Sequence, residues 1–315
     1  SIVAYSTEEP VDPLESNINR ITYSPNNTDN MNPTFRQNNI PVVFATDDNY
    51  ALPLCVCLQS FVENSNSNNN YDIWILDSEI SNKHCKDLYN VIKNHNNFSL
   101  RFLDISSFVS SYINELPCTK RWVAACFYRL FLPTIFSEYS KMVYLDCDII
   151  IQNDVANLYN IDLHNHLIGG EIDLSIKERK ICMKNKRKGK FIKEYINSGV
   201  LLFNLEEMRK GDFLNKCLNI FNTYKTRLAD QDVINIVCNF NKILINGNWN
   251  SIVSRVKNPE EHNILHYAGI KKPWKNPSSN PLNNIWWKFA SKTQVYDDLI
   301  AKYRTNVEEE EKCSS

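Results

Sequence analysis

Four short apolar runs, rich in β-branched residues, mark the first half of the chain: PVVFA (Pro41–Ala45), YDIWIL (Tyr71–Leu76), SLRFLDI (Ser99–Ile105) and VYLDCDIII (Val143–Ile151). Each predicts a buried strand. Between them, apolar spacing predicts helices over Ala51–Val62, Asn82–His95 and Trp122–Phe136, the last broken or ended near Pro133. Strand and helix alternate at spacings that suit right-handed βαβ units. The pattern reads as an α/β fold with a mostly parallel, Rossmann-like sheet flanked by helices. In such sheets ligands bind beyond the carboxyl ends of the strands. The polar segments TDDNY (Thr46–Tyr50) and DCD (Asp146–Asp148) both fall at such ends.

The flanks differ. Residues 1–39 are polar and rich in Asn and Pro, and predict an extension wrapped on the surface or partly unstructured, with order beginning at Ile40. The second half is less regular. It offers a strand with a close-approach glycine pair at Leu167–Ser175, the apolar YINSGVLLFNL (Tyr195–Leu205) and a helix near Phe213–Tyr224. There follow the helix-like ADQDVINIV (Ala229–Val237), a strand at KILIN (Lys242–Asn246) and HYAGIKKPW (His266–Trp274). NNIWWKFASKTQVYDDLIAKYR predicts an amphipathic helix or helix pair, and Glu308–Glu311 a solvated acidic end. The division that follows is an extension over 1–39, a main α/β domain over 40–275 and a smaller helical region over 276–315.

Composition narrows the function classes. The 43% hydrophobic content suffices for a core, and a net charge of −1 gives no whole-molecule attraction for nucleic acid. No apolar segment approaches the roughly 18 residues that span a bilayer. The start, SIVAYSTEEPVDP, lacks the basic-then-apolar plan of a signal peptide. The ten cysteines show no zinc-like pairing, and several lie in apolar runs (Cys126, Cys217, Cys238), so reduced thiols in a cytosolic protein are expected. All seven glycines lie at or after Gly169, so the first half carries neither GxGxxG nor a P-loop. A phosphate bound there must be neutralised another way.

Asp146 and Asp148 are the candidates for that work. Two carboxylates in a buried run are costly without compensation. The escapes are a metal ion, a strand end opening on a cleft, or both; a loop with two solvated acids is the plainer alternative. Paired carboxylates suit a hard divalent cation able to bridge diphosphate oxygens. His266 ends the apolar ILH and precedes Gly269, Lys271, Lys272 and Trp274. A lone histidine is more often structural than a ligand, but oxygen ligands plus one imidazole suit Mn²⁺ better than Mg²⁺. Lysines beside it would neutralise phosphate as point charges. Asp230-Gln231-Asp232 reads equally as acids at a helix start, Asn197-Ser198-Gly199 as a strand-entry turn. Asp173, in an apolar strand, raises the same question as the paired aspartates. Lys177–Lys193 holds nine Lys or Arg. It reads as a solvated loop or as an acceptor-side lid meeting a phosphorylated glycolipid or an anionic membrane. Trp286-Trp287-Lys288 reads as core packing before membrane contact.

In order and spacing, VFATDDNYALPLCV, YRLFLP, YLDCDIII, YINSGVLLFNL, ADQDVIN and HYAGIKKPW resemble the motifs of retaining glycosyltransferase family 8, which includes bacterial lipooligosaccharide galactosyltransferases and glycogenin. The likeness runs from about Pro41 to Trp274. The resemblance implies a GT-A fold, a UDP-sugar donor (UDP-galactose or UDP-glucose), Mn²⁺ with Mg²⁺ as the substitute, and transfer with retention to an α-linked product on a saccharide or glycolipid acceptor. It implies Asp146, Asp148 and His266 as metal ligands. Ala45, Asp47 and Asn49 would contact uracil and ribose, with Asp146 near the ribose, and Arg129 would lie near the donor sugar and diphosphate. Asn197 and Ser198 would touch the sugar, Asp173 and Asp230 its hydroxyls, and Gln231 would lie beside the anomeric carbon. Gly269 and Lys272 would hold the diphosphate. The extension resembles those of lipopolysaccharide-core hexosyltransferases.

The implied chemistry places the departing UDP's charge against the metal site and Lys272, with the acceptor hydroxyl arriving on the face that UDP leaves. Gln231, a poor nucleophile, is assigned to stabilising the sugar cation. Among rivals, a haloacid-dehalogenase-type phosphatase usually carries DxD near the start of its domain with Thr or Val two residues after the second Asp, where Ile150 stands here. A retaining glycosidase needs carboxylates flanking a sugar. A glycan-binding protein without activity would tolerate loss of the metal ligands, all of which are present. A self-glucosylating primer would need an acceptor tyrosine, which fifteen tyrosines do not single out. A cytoplasmic setting, with contact at the inner membrane face, completes the expectation.

Overall fold

A computed structural model describes residues 18–117, 124–184 and 188–303. An eight-stranded sheet organises it. The strands run β1 (Asn19–Thr22), β2 (Asn39–Asp47), β3 (Asn70–Ser78), β4 (Phe98–Asp104), β5 (Lys141–Leu145), β6 (Ile149–Ile151), β7 (Ile168–Ile172), β8 (Arg179–Cys182), β9 (Gly189–Ile192), β10 (Ile196–Asn204), β11 (Lys242–Leu244), β12 (Ser251–Ile252) and β13 (Ile264–His266). The main sheet has the order β1-β4-β3-β2-β5-β10-β7-β11. β10 is antiparallel to both neighbours and every other pairing in the sheet is parallel. The continuous apolar runs of β2, β3 and β10 follow from burial on both faces. Helices Ala51–Glu63 and Asn82–Ile92 cover one face, the second started by Ser81, whose hydroxyl accepts from His84 N–H at 3.3 Å. Helices Phe213–Thr223 and Ala229–Val237, with the Ala124–Ile135 segment, cover the other.

Three expectations are corrected. Ordered structure does not begin at Ile40: within the expected extension, Asn19–Thr22 adds a parallel edge strand to β4, and Tyr23 and Met31 are buried. Arg101 N–H groups donate to the carbonyls of Asn30 (3.2 Å) and Asn32 (2.8 Å), and Arg20 lies 2.6 Å from Asp77. Four residues of mixed polarity give too little pattern to betray a strand. The expected helix ending at Pro133 is a 3₁₀ stretch, Ala124–Phe131, running into Leu132–Ile135; Pro133 opens that turn, where its missing N–H costs nothing. Trp122 and Val123 lie outside the described residues. Finally, VYLDCDIII is two strands in two sheets. β5 belongs to the main sheet, β6 to a three-stranded sheet of order β12-β13-β6, and DCD is the crossover.

The eight described cysteines form no disulfide with one another. Among the described residues no helix is long and apolar enough to cross a membrane. Helix Asn283–Ala290 buries Trp286 against Trp274 (ring centroids 5.2 Å apart), so that aromatic cluster is core. The acidic run Glu308–Glu311 lies outside the described residues.

Candidate active site

The crossover between sheets is pinned on both sides. Asp146 N–H donates to Gly199 O at 2.8 Å, continuing the β5–β10 pairing, and Tyr267 N–H donates to Asp148 O at 2.9 Å, continuing β6–β13. His266 ends β13 opposite Ile149, one residue past Asp148. Two carboxylates and an imidazole therefore converge where two sheets part. Their ligand atoms all lie within 4.8 Å of one another. His266 Nε2 is 3.4 Å from Asp148 Oδ1 and 3.8 Å from Asp146 Oδ2. Beneath them Gly199 is required: a Cβ there would stand 2.3 Å from His266 Cε1 and 2.8 Å from Asp146 Oδ2.

The donor set fits a divalent cation. His266 Nδ1 sits 2.7 Å from Asn250 Oδ1, an acceptor only, so Nδ1 carries the proton and Nε2 keeps its lone pair toward the carboxylates. Burial works against the Asp148 carboxylate, but the Lys272 ammonium beside it outweighs that cost and the group is held well below the usual carboxylate range. Lys272 pairs directly with Asp148 and donates to Tyr267 O at 2.9 Å. Asp148 thus meets its burial cost at a strand end and through Lys272, in a cluster whose ligand atoms could also hold a cation.

Arg129 faces the same crossover from the 3₁₀ stretch. It donates to Asp146 Oδ1 at 3.0 Å and to Ser198 O, and its guanidinium lies 4.2 Å from the centre of the Tyr144 ring. Tyr144 itself donates to Asp146 Oδ1 at 3.1 Å. Arg129 Nε is 3.0 Å from Asp230 Oδ2 without hydrogen-bond alignment, so that contact is an ion pair alone. Burial pushes the Asp230 carboxyl up to about 6; Arg129 opposes the rise and Asp146 adds to it. A cavity of about 320 Å³ opens here, lined by Ala45, Asp47, Tyr50, Arg129, Tyr144, Asp146 and Asp148.

On the other side neutral amides and a hydroxyl gather around a single carboxylate, Asp173. β10 carries a bulge between Ile196 and Leu201, so Asn197-Ser198-Gly199 lies within the strand and not in an entry turn before it. Asn235 repairs the ladder, accepting from Ile196 N–H and donating to Ile196 O, each at 2.8 Å. Gln231 Oε1 accepts from Ser198 N–H (3.1 Å), and Gln231 Nε2 donates to Asp173 Oδ2 (3.2 Å). Asn197 Nδ2 donates to the same oxygen at 3.2 Å, and its Oδ1 accepts from Asn250 at 2.9 Å. One unbroken chain thus joins Gln231 to His266 through Asp173, Asn197 and Asn250.

The structure brings together Asp146, Asp148, His266, Lys272, Arg129, Asp230, Gln231, Asp173, Asn197 and Ser198, with Ala45 and Asp47 on the cavity wall. Asn49 is exposed and does not line the cavity; its N–H and that of Tyr50 close a turn on Asp47 Oδ1 at 3.0 and 3.1 Å. Gly269 is exposed at φ +92°, a backbone state suited to glycine, in the loop before Lys272. The residue missed by sequence reasoning is Asn250. Its partners lie 53 positions before it and 16 after it, and no local pattern signals them. Asn250 also lines a second cavity, about 290 Å³, with Glu171, Leu174, Arg255 and His262.

This arrangement sits on a GT-A fold. The chain belongs to glycosyl transferase family 8, whose model matches residues 41–277. It is similar to General stress protein A of Bacillus subtilis, 24% identical over 275 residues (80% of this chain, 93% of that protein). It is similar to the lipopolysaccharide 1,2-glucosyltransferase of Escherichia coli K12, 24% identical over 251 residues (74% and 72%). Among solved structures, the galactosyltransferase LgtC bound to donor and acceptor sugar analogues superposes with a TM-score of 0.65 at 23% identity, over 81% of this chain and 96% of that one. The bifunctional glycosyltransferase WbbM superposes at 0.74 and 23%, over 87% of this chain; this chain spans 53% of WbbM. The protein is therefore an enzyme of the sugar-transferring class.

Proposed function

We propose that the chain transfers a hexose, galactose or glucose, from its UDP-sugar to a saccharide or glycolipid acceptor with retention, forming an α-linkage. The observation that carries the reading is the convergence of Asp146, Asp148 and His266 at the mouth of a cavity, joined by hydrogen bonds to a buried amide, Gln231. Asp146, Asp148 and His266 would hold Mn²⁺, or Mg²⁺ in its place, which when bound supplies positive charge against a leaving diphosphate. The uridine is assigned to the Ala45–Asp47 cavity, with Arg129 toward the diphosphate and sugar, and Gly269 and Lys272 closing on the phosphates.

The protein's own groups then do the following. Asp173, Asn197, Asp230 and Ser198 orient the hexose through its hydroxyls. Gln231, fixed by Ser198 and Asp173, presents its amide to the anomeric carbon as positive charge develops there. An amide is a weak nucleophile, so the reading assigns it charge stabilisation. The acceptor hydroxyl attacks from the face that UDP leaves, its proton passing to the departing phosphate. The saccharide acceptor is placed in the second cavity, whose rim Asn250 and Leu174 bring beside Asp173. The relatives named as lipopolysaccharide 1,2-glucosyltransferases support a cell-surface saccharide acceptor, and with that acceptor we assign work at the cytoplasmic membrane face.

Incubation with a panel of UDP-sugars, with Mn²⁺ or chelator, tests this. Release of UDP from one or two donors, abolished by chelator, is expected. No release and no UDP-sugar binding by calorimetry would sink the transferase reading, and a β-linked product by NMR would overturn retention.

A further inference from the structure

The match to the family ends at residue 277, yet the chain beyond it grips the segment that carries His266 and Lys272. The Tyr267 hydroxyl donates to Leu282 O at 2.7 Å, just before helix Asn283–Ala290. From within that helix, Trp287 Nε1–H donates to Pro273 O at 2.9 Å, and Asn283 Nδ2 donates to Asn276 O at 3.0 Å and to Pro277 O at 3.2 Å. Pro273 and Asn276 stand on either side of Trp274, so these bonds fix the stretch before and after that residue.

Trp274 is 1% exposed and has two ring partners of different kinds. Trp286, 5.2 Å away between centroids, is fully buried and belongs to the core. Tyr50, met edge to face at 5.7 Å and 88°, is half-buried and lines the cavity of about 320 Å³ together with Asp47, Arg129 and Asp148. Core packing accounts for the first contact. The second joins the core to a wall of the site. The turn before Tyr50 is held from the same region of the chain: the buried Tyr303 donates to Asn49 O at 3.5 Å. Lys83 and Asp298 also meet, at 2.6 Å, but both are exposed, and such a pair in water holds little. The grip comes from buried rings and directed hydrogen bonds.

We propose that Trp274 is a positioning residue for the nucleotide end of the site: residues 282–303 hold its ring, and its ring holds Tyr50 at the cavity wall. The C-terminal region thereby takes part in donor binding without touching the donor. The gain is preorganisation. A tyrosine fixed before the ligand arrives loses little freedom on binding, whereas a loose one must be ordered by the ligand. The proposal deepens the function proposed above and rests on it in assigning the uridine to this cavity.

Calorimetry of the full chain with Mn²⁺ alone, and with UDP in the presence of Mn²⁺, tests it, together with amide hydrogen exchange without nucleotide. Trp274→Leu should bind UDP about 10-fold more weakly, since it loses the edge-to-face partner of Tyr50. Its Mn²⁺ affinity should stay within about 2-fold, because Asp146, Asp148 and His266 keep their own partners. Trp287→Phe keeps an aromatic ring and removes the N–H given to Pro273. It should weaken UDP about 3-fold, and it carries the test if Trp274→Leu does not fold. In both variants the amides of Asn49 and Tyr50, which donate to Asp47 Oδ1, should exchange about 5-fold faster. Unchanged exchange at that turn, or UDP and Mn²⁺ affinities falling together, would overturn the positioning role and leave the transferase reading standing. Faster exchange in the variants of a chain that binds no UDP would uphold the brace and count against the uridine assignment alone.

Discussion

Around Asp146 the groups that meet are full charges: Arg129, Asp230, Asp148 and Lys272. Around Asp173 they are neutral dipoles: Asn197, Gln231 and, one bond further, Asn250 and Ser198. The two clusters share the wall formed by β10. A buried charged pair repays its desolvation only when geometry and extra hydrogen bonds are in place, so the charged side suits a ligand that brings charge of its own, such as a diphosphate and its metal. Pre-oriented amides add no net charge and little pH dependence. They suit a sugar ring, whose hydroxyls need direction more than neutralisation. Under the function proposed above, the difference gives binding of the leaving group to one side and handling of the sugar to the other.

That contrast breaks most visibly at Asp148. Asp148→Asn removes a ligand and unpairs Lys272, and UDP release should fall about 10³-fold with loss of Mn²⁺ binding by calorimetry. Near-normal turnover would remove the metal from the charged side. Gln231→Ala should lower kcat about 10²-fold while donor KM moves less than about 3-fold, because the amide acts on developing charge. A rise in KM at constant kcat would make Gln231 a binding group only. Asn250 joins the two sides, and Asn250→Leu should weaken Mn²⁺ binding about 10-fold through the freed imidazole. Asn250→Asp, which keeps an acceptor for His266 Nδ1–H, should recover most of that loss. If both variants bind metal alike, the hydrogen bond is incidental.

The charged side was the legible one. Asp146 and Asp148 stood out because acids in an apolar run contradict their surroundings, and βαβ alternation placed them at a strand end without any coordinates. On the neutral side only Asp173 gave such a contradiction, and its amide partners gave none. Asn197 and Gln231 entered through family resemblance, and Asn250 not at all, since a buried asparagine is recognised by partners 16 and 53 positions distant. The split of VYLDCDIII between two sheets was equally hidden. An apolar run carries no mark of which sheet its two ends will join, and only the pairing with Gly199 and Tyr267 decides it.

The smallest expected effect concerns stability. The Asp230 carboxyl is raised from 3.8 to about 6 because it is buried. A carboxyl raised on folding favours the native state while protonated. Its contribution is fully present below pH 3.8 and is lost as pH rises through about 6. A shift of this size corresponds to about 3 kcal/mol at most. Asp148 has the opposite sign, being held below the usual range, so its contribution is present above pH 3.8 and lost only at more acid pH, outside this window. Urea unfolding of the protein and of Asp230→Asn at pH 4.5 and 7.5 separates them. The unmodified chain should lose roughly 1–3 kcal/mol more than the variant over that interval, because asparagine has no proton to release. Equal losses would mean that Arg129 compensates the Asp230 carboxylate fully, and the pair would then belong with Asp148 and Lys272 as a settled ion pair instead of a strained one.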